Sequence, residues 1–411
     1  MLHVFLPAMF LFGMILFVYI KIRYPFWNNQ PVFHTYDYWR FFYTEPFIVY
    51  KHQPIKTKFC DFLHVETIPY LESSAQHQAD MADLLQCYYI GSERILHTLS
   101  KEDLHAYFIG HTEPAYLSFY NETHYHEKID PSYQILPLRK PIGTVSSRPA
   151  TFYHRPTQKD IVYRKMPAYV IDFLCVQRDR DAKKINRSLL QTHEYNQRKK
   201  NPNISISIVK KEIDLFGGVV PFLKYQNHLF HLRPIHVPKL PDHFHIQRIT
   251  HQSSLDIVAD VLHHKQEEVN SDLQAMVIPS MASIASLLQR ELLYIYCLRQ
   301  KDRIYGLYFL KDVKCQYEDI GGNTLQCMAS IMHENNTNLF FLGFLHSLRS
   351  LLKLRPSYKM LFMDETGHTS ILLKYWRTKH TPIFSNETAY YLYNFIYPSS
   401  PLSPETCLFL I

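Results

Sequence analysis

The sequence predicts an α+β protein built from two halves. Each half pairs strands around a central helix in a mixed β-sheet flanked by helices, and one apolar helix precedes both. Three observations predict this. Residues Met1 to Ile20 are almost wholly apolar, broken only by His3, Pro7 and Gly13. Behind them, strand-like and helix-like spacings recur in a similar order on either side of the proline-rich stretch from Pro234 to Pro241. The chain has 411 residues, 46% of them apolar and 20% charged, which is enough for two folded units. The expected organisation is an anchor over 1–20, an N-terminal half over 21–235 and a C-terminal half over 236–411.

As a helix, the first twenty residues rise about 30 Å, the thickness of a bilayer's hydrocarbon core. No basic stretch precedes them and no small-residue cleavage site follows, so a retained single-pass transmembrane helix is expected rather than a signal peptide. Lys21 and Arg23 come next and place the body on the cytoplasmic side of the membrane. Tyr24 to Phe47 reads as an aromatic extended segment. Apolar residues at three- and four-residue spacing predict a helix over Ala79–Tyr89. Strands follow at Ile142–Ser146 and Ala168–Val176. A helix over Lys183–Gln197 carries Ile185, Leu189 and Leu190 on one face, and Ile204–Val209 and Gly218–Leu223 read as strands. In the second half, Ser254–Leu262 reads as a helix capped by Ser253. Leu292–Leu298 and Ile304–Leu310 form a hairpin across Lys301-Asp302-Arg303. Leu325–Met332 is a strand, Phe340–Leu354 a helix, Tyr358–Met363 a strand and Ser370–Trp376 a helix.

Composition removes several functional classes. The seven cysteines are scattered, odd in number and without a C-x-x-C pair, which fits reduced core residues and neither a disulfide framework nor a zinc site. Among 24 histidines, His228-x-x-His231 and His243-x-His245 lack a nearby carboxylate or cysteine at ligand spacing, so neither a metal nor a resident cofactor is expected. The net charge of +7 is modest and densest between Arg187 and Lys211. It suits an anionic ligand or lipid headgroups and not nucleic acid. A monomer is the expected state.

Two segments carry candidate chemistry. Ile171-Asp172-Phe173-Leu174-Cys175-Val176 ends a strand and leads through Gln177–Ala182 to a helix starting at Lys183 and Lys184. Free backbone N–H groups and lysines at a helix start suit phosphate or pyrophosphate. In acyl transfer from a CoA thioester, the strand end also offers backbone donors to the thioester carbonyl. A solvated helix start has the same pattern. The second segment is Cys407-Leu408-Phe409-Leu410-Ile411, apolar to Ile411, whose burial would carry a carboxylate inside the protein. A buried carboxylate is costly unless it has a partner or a task. The plain alternative is a closing edge strand with its carboxylate at the surface.

Five stretches share motifs with one family. Tyr24-Pro25-Phe26-Trp27-Asn28-Asn29-Gln30-Pro31-Val32 resembles Y-x-F-W-x-T-Q-P-V, and Gly143-Thr144-Val145-Ser146-Ser147-Arg148-Pro149 resembles G-x-I-S-A-x-P. Phe173-Leu174-Cys175-Val176 matches N-F-L-C-V after its first residue. Gly218-Val219-Val220-Pro221 lies where A-G-V-x-L-P is expected, and Tyr390-Tyr391-Leu392-Tyr393-Asn394-Phe395 resembles Y-Y-L-Y-N-W near the family's C-terminus. On these motifs, in family order from residue 24 to 411, the chain resembles eukaryotic glycylpeptide N-myristoyltransferase, a tandem repeat of the acetyltransferase-like (GNAT) fold.

The resemblance implies transfer of a myristoyl group from myristoyl-CoA, as co-substrate, to the N-terminal glycine of a peptide or protein. It implies that backbone N–H groups of Phe173 and Leu174 form an oxyanion hole. Tyr24, Phe26, Trp27, Val176 and Ile185 would line the acyl-CoA site, Lys183 and Lys184 would meet the CoA phosphates, and Tyr391 and Tyr393 would touch the peptide. The Ile411 carboxylate would take the proton of the glycine ammonium. Asp172 stands where the family has asparagine, Asp181 aligns with an arginine of its phosphate loop, and Phe216 aligns with a threonine. Its acidic reader of a substrate lysine has no counterpart; Gly91 to Leu99 holds Glu93 and little else acidic. These departures support an alternative, a membrane-anchored homologue that binds acyl-CoA or protein without turnover.

Overall fold

In a computed structural model the chain is described over residues 2–90, 94–127, 135–156, 160, 162–250, 254–268 and 271–411; the side chains of 2–8, 124–127 and 135–138 lie outside the description. The first half contains α1 (Leu2–Arg23), β1 (Phe47–Ile48), β2 (Val65–Pro69), α2 (Ala75–Tyr88), β3 (Ile95–His97) and α3 (Lys101–Phe108). It continues with β4 (Tyr116–Glu127), β5 (Ile135–His154), β6 (Arg164–Val176), α4 (Ala182–Lys200), β7 (Ile206–Glu212) and β8 (Leu223–His231). Then come β9 (Phe244–Ile249), α5 (Leu255–Glu267), β10 (Ala275–Ile278), α6 (Met281–Gln289), β11 (Leu293–Gln300), β12 (Arg303–Tyr317) and β13 (Gly322–Met332). The chain closes with α7 (Thr337–Leu354), β14 (Tyr358–Asp364), α8 (Thr369–Trp376), β15 (Phe384–Tyr393), β16 (Phe395–Ile396) and β17 (Cys407–Phe409).

Fifteen of these strands join one mixed sheet. Its main path runs β17-β10-β5-β6-β7-β15-β8-β14-β13-β12-β11-β9. One kind of connection occurs twice in this sheet. In the first half α4 links the parallel neighbours β6 and β7; in the second α7 links the parallel neighbours β13 and β14. A parallel pair needs such a crossover, and a long helix is the usual one. The halves interlock, because β15, from late in the chain, lies between β7 and β8 and pairs antiparallel with both.

Local chemistry sets the helix starts. Ser74 and Ser100 form capping boxes with His77 and Asp103 at the heads of α2 and α3. Asp181, Ser280 and Asn336 cap α4, α6 and α7. Helix α7 buries Leu339, Phe340, Gly343, Phe344, Ser347, Leu348 and Leu351, the three- and four-residue stripe of a core helix. It sits close on the sheet at Gly343, where a Cβ would lie 2.8 Å from Leu298 Cδ2 and closer still to the Tyr308 hydroxyl.

The structure departs from the sequence reading at several points. Gly218–Leu223 is not a strand. Gly218 has a positive φ and closes onto the Tyr24 ring, Val219 bridges only to His34, and the strand starts at Leu223. The segment from Tyr24 to Phe47 is not evenly extended, since Trp27–Asn29 and Tyr38–Phe42 are 3₁₀ turns. Strand β10 and helix α6 were not legible in the periodicity, and Ser253, Gly91 and Glu93 lie outside the described residues. The apolar N-terminal run is helical, but a membrane span over 1–20 is not supported. Among the described residues no helix is long and apolar enough to cross a membrane, and the side chains of 2–8 lie outside the description.

Four interior histidines couple this fold to pH. Burial pushes His97, His154 and His368 down to about 4 and His193 to about 3, well below the ordinary value of 6.5. Their neutral rings suit the folded state, so their contribution is full above pH 6.5 and is lost as pH falls toward 4. Urea midpoints should therefore decline between pH 7 and pH 5. His154 stacks on Phe152 at 5.2 Å and is fully buried. His154→Phe should give a shallower decline than wild type; parallel declines would show that His154 does not contribute.

Candidate active site

The site begins where β6 loses its neighbour. Strands β6 and β7 pair from Ala168↔Ile206 to Ile171↔Val209 and then separate. Across β5 the register passes from Ser146↔Asp172 to Thr144↔Cys175, so Phe173 and Leu174 together oppose Val145 in a β-bulge. Phe173 has φ 55°, a left-handed conformation that costs a bulky residue about 1–3 kcal/mol. Its ring is held by Tyr89 and Tyr107 at 5.6 Å each and by Phe108 at 6.1 Å. From Asp172 to Val176 the backbone has no strand partner on the β7 side among the described residues.

The residues expected at the acyl-CoA site fall into three groups. Phe26, Val176 and Ile185 share one apolar cluster, with Trp27 and Leu174 packed on its edge. Tyr24 lies apart, stacked on Tyr36 at 5.6 Å and against Gly217 and Gly218. Lys183 and Lys184 are exposed in the first turn of α4. The helix start itself is already served by an anion, because the Asp181 carboxylate accepts from the Lys184 backbone N–H at 3.0 Å. The Asp181 carboxylate thus stands where a ligand phosphate would approach.

A tight cavity of about 20 Å³ lies on the other side of the bulge. Its wall includes Tyr107, Arg148, Leu292, Lys311, Leu410 and Ile411. Strand β17 pairs in parallel with β10, and the Leu410 N–H donates to the Val277 carbonyl at 2.9 Å, which leads Ile411 to the cavity. Two wall residues reach back to the bulge: Tyr107 packs on Phe173, and Arg148 forms an ion pair with Asp172, its Nε 3.1 Å from Oδ2.

Beyond Asp172, charged and polar side chains share one face of the sheet. Register places Lys210 opposite Tyr390, Glu212 and Tyr225 each opposite Thr388, Asn227 opposite Asp364, and Lys311 opposite Gln326. Paired residues of adjacent strands point to the same side. Lys210 Nζ contacts Glu212 Oε1 at 2.6 Å. Burial works against the Lys210 ammonium, yet Glu212 outweighs it and holds it well above the usual range, while Lys210 holds the Glu212 carboxyl below its own. Glu212 keeps 52% of its side-chain surface open although protein surrounds it, as on the floor of a water-filled cleft. Burial raises the Asp364 carboxyl to about 6, and Gln326 Nε2 donates to its Oδ2 at 2.9 Å. Burial, with Arg148 close by, lowers the Lys311 ammonium to about 8.

Tyr391 and Tyr393 lie on the opposite face from Tyr390, and their hydroxyls are engaged internally. Tyr391 Oη accepts from the Phe216 backbone N–H at 3.1 Å, and Phe216 packs on Trp27 at 4.4 Å. Tyr393 Oη donates to Gln30 Oε1 at 2.6 Å. The residues that the sequence reading missed are Tyr107, Lys210, Glu212, Lys311 and Asp364. Four of them lie on strands, and only a register between distant strands could have placed them beside Arg148.

A crystal structure of N-myristoyltransferase from Saccharomyces cerevisiae with bound myristoyl-CoA matches 92% of this chain and 93% of that one with a TM-score of 0.64, at 13% identity. The chain has the fold of N-myristoyltransferase. A second structure of the yeast enzyme with bound myristoyl-CoA matches with a TM-score of 0.65 over 93% of this chain and 90% of that one, at 14% identity. No protein-family model and no curated protein matches the sequence.

The Arg148–Asp172 pair is the feature most exposed to test. Removing one partner strands a charge in the interior, whereas removing both does not. Arg148→Met should destabilise the protein by about 3 kcal/mol in chemical denaturation. Combining it with Asp172→Asn should recover most of that loss. A double variant as unstable as the single one would show that Arg148 acts through packing alone.

Proposed function

We propose that this protein is an acyltransferase that moves a long acyl chain, myristoyl, from CoA to the N-terminal glycine amine of a protein. The observation that carries this reading is the meeting of the bulged strand end at Phe173–Leu174 with the cavity that Ile411 lines. The thioester carbonyl would receive hydrogen bonds from the Phe173 and Leu174 N–H groups, which stabilise the oxyanion as it forms. The acyl chain would lie against Phe26, Trp27, Val176 and Ile185, with Tyr24 nearby. Lys183 and Lys184 would meet CoA phosphates, and Tyr391 and Tyr393 would support the peptide side. An α-ammonium has a pKa near about 8 and must lose a proton before it attacks. The Ile411 carboxylate takes that proton, the C–N bond forms, the C–S bond breaks, and the departing CoA thiolate takes the second proton from the nitrogen to leave as the thiol.

Deleting Leu410 and Ile411 should lower turnover by roughly 10² or more, because the proton acceptor is lost. Binding of myristoyl-CoA, followed by its effect on thermal stability, should survive. Unchanged turnover in the truncated protein would remove Ile411 from the mechanism.

Asp181, capping α4 where phosphate would approach, favours the second reading: a homologue that holds acyl-CoA or a protein partner without transfer. Myristoyl-CoA bound with no acylated product from any glycine-started peptide would establish that reading.

We also propose that the chain is held at a membrane with its body in the cytoplasm. Met9, Phe10, Phe12, Ile15, Phe17 and Ile22 stand exposed around α1, and an all-round apolar helix exposed to water is unfavourable. Full-length protein should stay with membranes in carbonate, and protein beginning at Lys21 should not. Carbonate release of the full chain would refute the anchor.

A further inference from the structure

We propose that Lys311 forms a carboxylate-binding subsite beside Ile411, so that the acceptor carries an acidic group close to the amine that is acylated. This rests on the acyltransferase reading and names the acceptor it favours.

The geometry has three parts. First, Lys311 and Ile411 line the same cavity, whose remaining wall is mostly apolar and includes Leu292, Leu293, Phe309 and Met328. Second, the neighbouring cations are already matched: Arg148 pairs with Asp172, and Lys210 with Glu212. Lys311 makes no ion pair among the described residues; its Nζ rests 5.3 Å from the centre of the Tyr107 ring. Third, Lys311 is half-buried, and an ammonium facing an apolar wall is costly until an anion or hydrogen-bond acceptor reaches it. Burial and Arg148 lower the Lys311 pKa, and the Asp172 and Asp364 carboxylates offset them only in part.

An acceptor that brings an ammonium to Ile411 and a carboxylate to Lys311 satisfies both groups of the cavity wall. The carboxylate could come from an acidic residue directly after an N-terminal glycine, or from the α-carboxylate of a free amino acid. Both place a negative charge a few bonds from the amine. A lysine in that position would meet Lys311, and the two like charges would repel.

The test is binding to full-length protein loaded with a non-hydrolysable thioether analogue of myristoyl-CoA. The probes are short peptides beginning Gly-Glu, Gly-Gln and Gly-Lys, with free glycine and glycinamide. Acyl transfer is followed separately with myristoyl-CoA. The expected result is tighter binding of Gly-Glu than of Gly-Gln by about tenfold or more, with Gly-Lys weakest. A preference for glycine over glycinamide instead would identify the α-carboxylate as the group read. Lys311→Gln should remove the preference, and Lys311→Arg should keep it, which separates loss of charge from loss of fold. Equal binding of all probes by wild type, no binding of any probe, or unchanged selectivity in Lys311→Gln would overturn the subsite. Acid-selective binding without acyl transfer would overturn the acyltransferase reading and leave the subsite standing.

Discussion

Strand β15 lies between β7 and β8, and the rest of the site depends on that placement. Antiparallel pairing on both sides fixes its register twice over, since a shift of one residue would turn Tyr391 and Tyr393 into the cleft and Tyr390 out of it. With the register held, one face of β15 carries Tyr390 and Thr388 to the charged cleft. Its other face carries Tyr391 and Tyr393 to the segment around Trp27 and Gln30. The same strand thus joins the two halves and divides the polar floor from the apolar wall.

The polar floor is unusual in its charge density. Arg148, Asp172, Lys210, Glu212, Lys311 and Asp364 share one face of the sheet, where charges interact more strongly than at the surface. Two ion pairs neutralise most of it. Such pairs contribute little net stability, because desolvation offsets the attraction. They do fix side-chain positions, and Arg148 in particular ties the cavity wall to the strand bulge through Asp172. The pairing gives a partner to one departure from the family motifs: Asp172, in place of asparagine, meets Arg148 across β5 and β6.

The bulge at Phe173 shows how the fold carries local strain. A phenylalanine at positive φ is unfavourable by itself, yet Tyr89, Tyr107 and Phe108 enclose its ring. The aromatic packing offsets the backbone cost and leaves a stretch of β6 free on its β7 side. Opposite it, Phe26 meets Trp27 and Phe59 edge-on at 5.0 and 5.1 Å, which ties the N-terminal segment to the same strand end.

Much of the fold was legible in the sequence because it is written in local spacing. The stripes of α4 and α7, the hairpin of β11 and β12 and the apolar strand β6 each follow from periodicity within one segment. The Phe173-Leu174-Cys175-Val176 motif located the strand end, and the closing apolar run forms the edge strand β17, buried from Cys407 to Leu410 with Ile411 half-buried. What local spacing did not contain was pairing between segments far apart in the chain. Gly218–Leu223 looked like a strand because its apolar residues pack against the Tyr24 region and β15 without joining the ladder. Lys210, Lys311 and Asp364 each lie one residue past the end of a strand expected from the sequence, which gave them no role. Only the order β6-β7-β15-β8-β14-β13-β12 brings them to one cleft. There burial and neighbouring charge, properties of the assembled sheet, set what each of them can do.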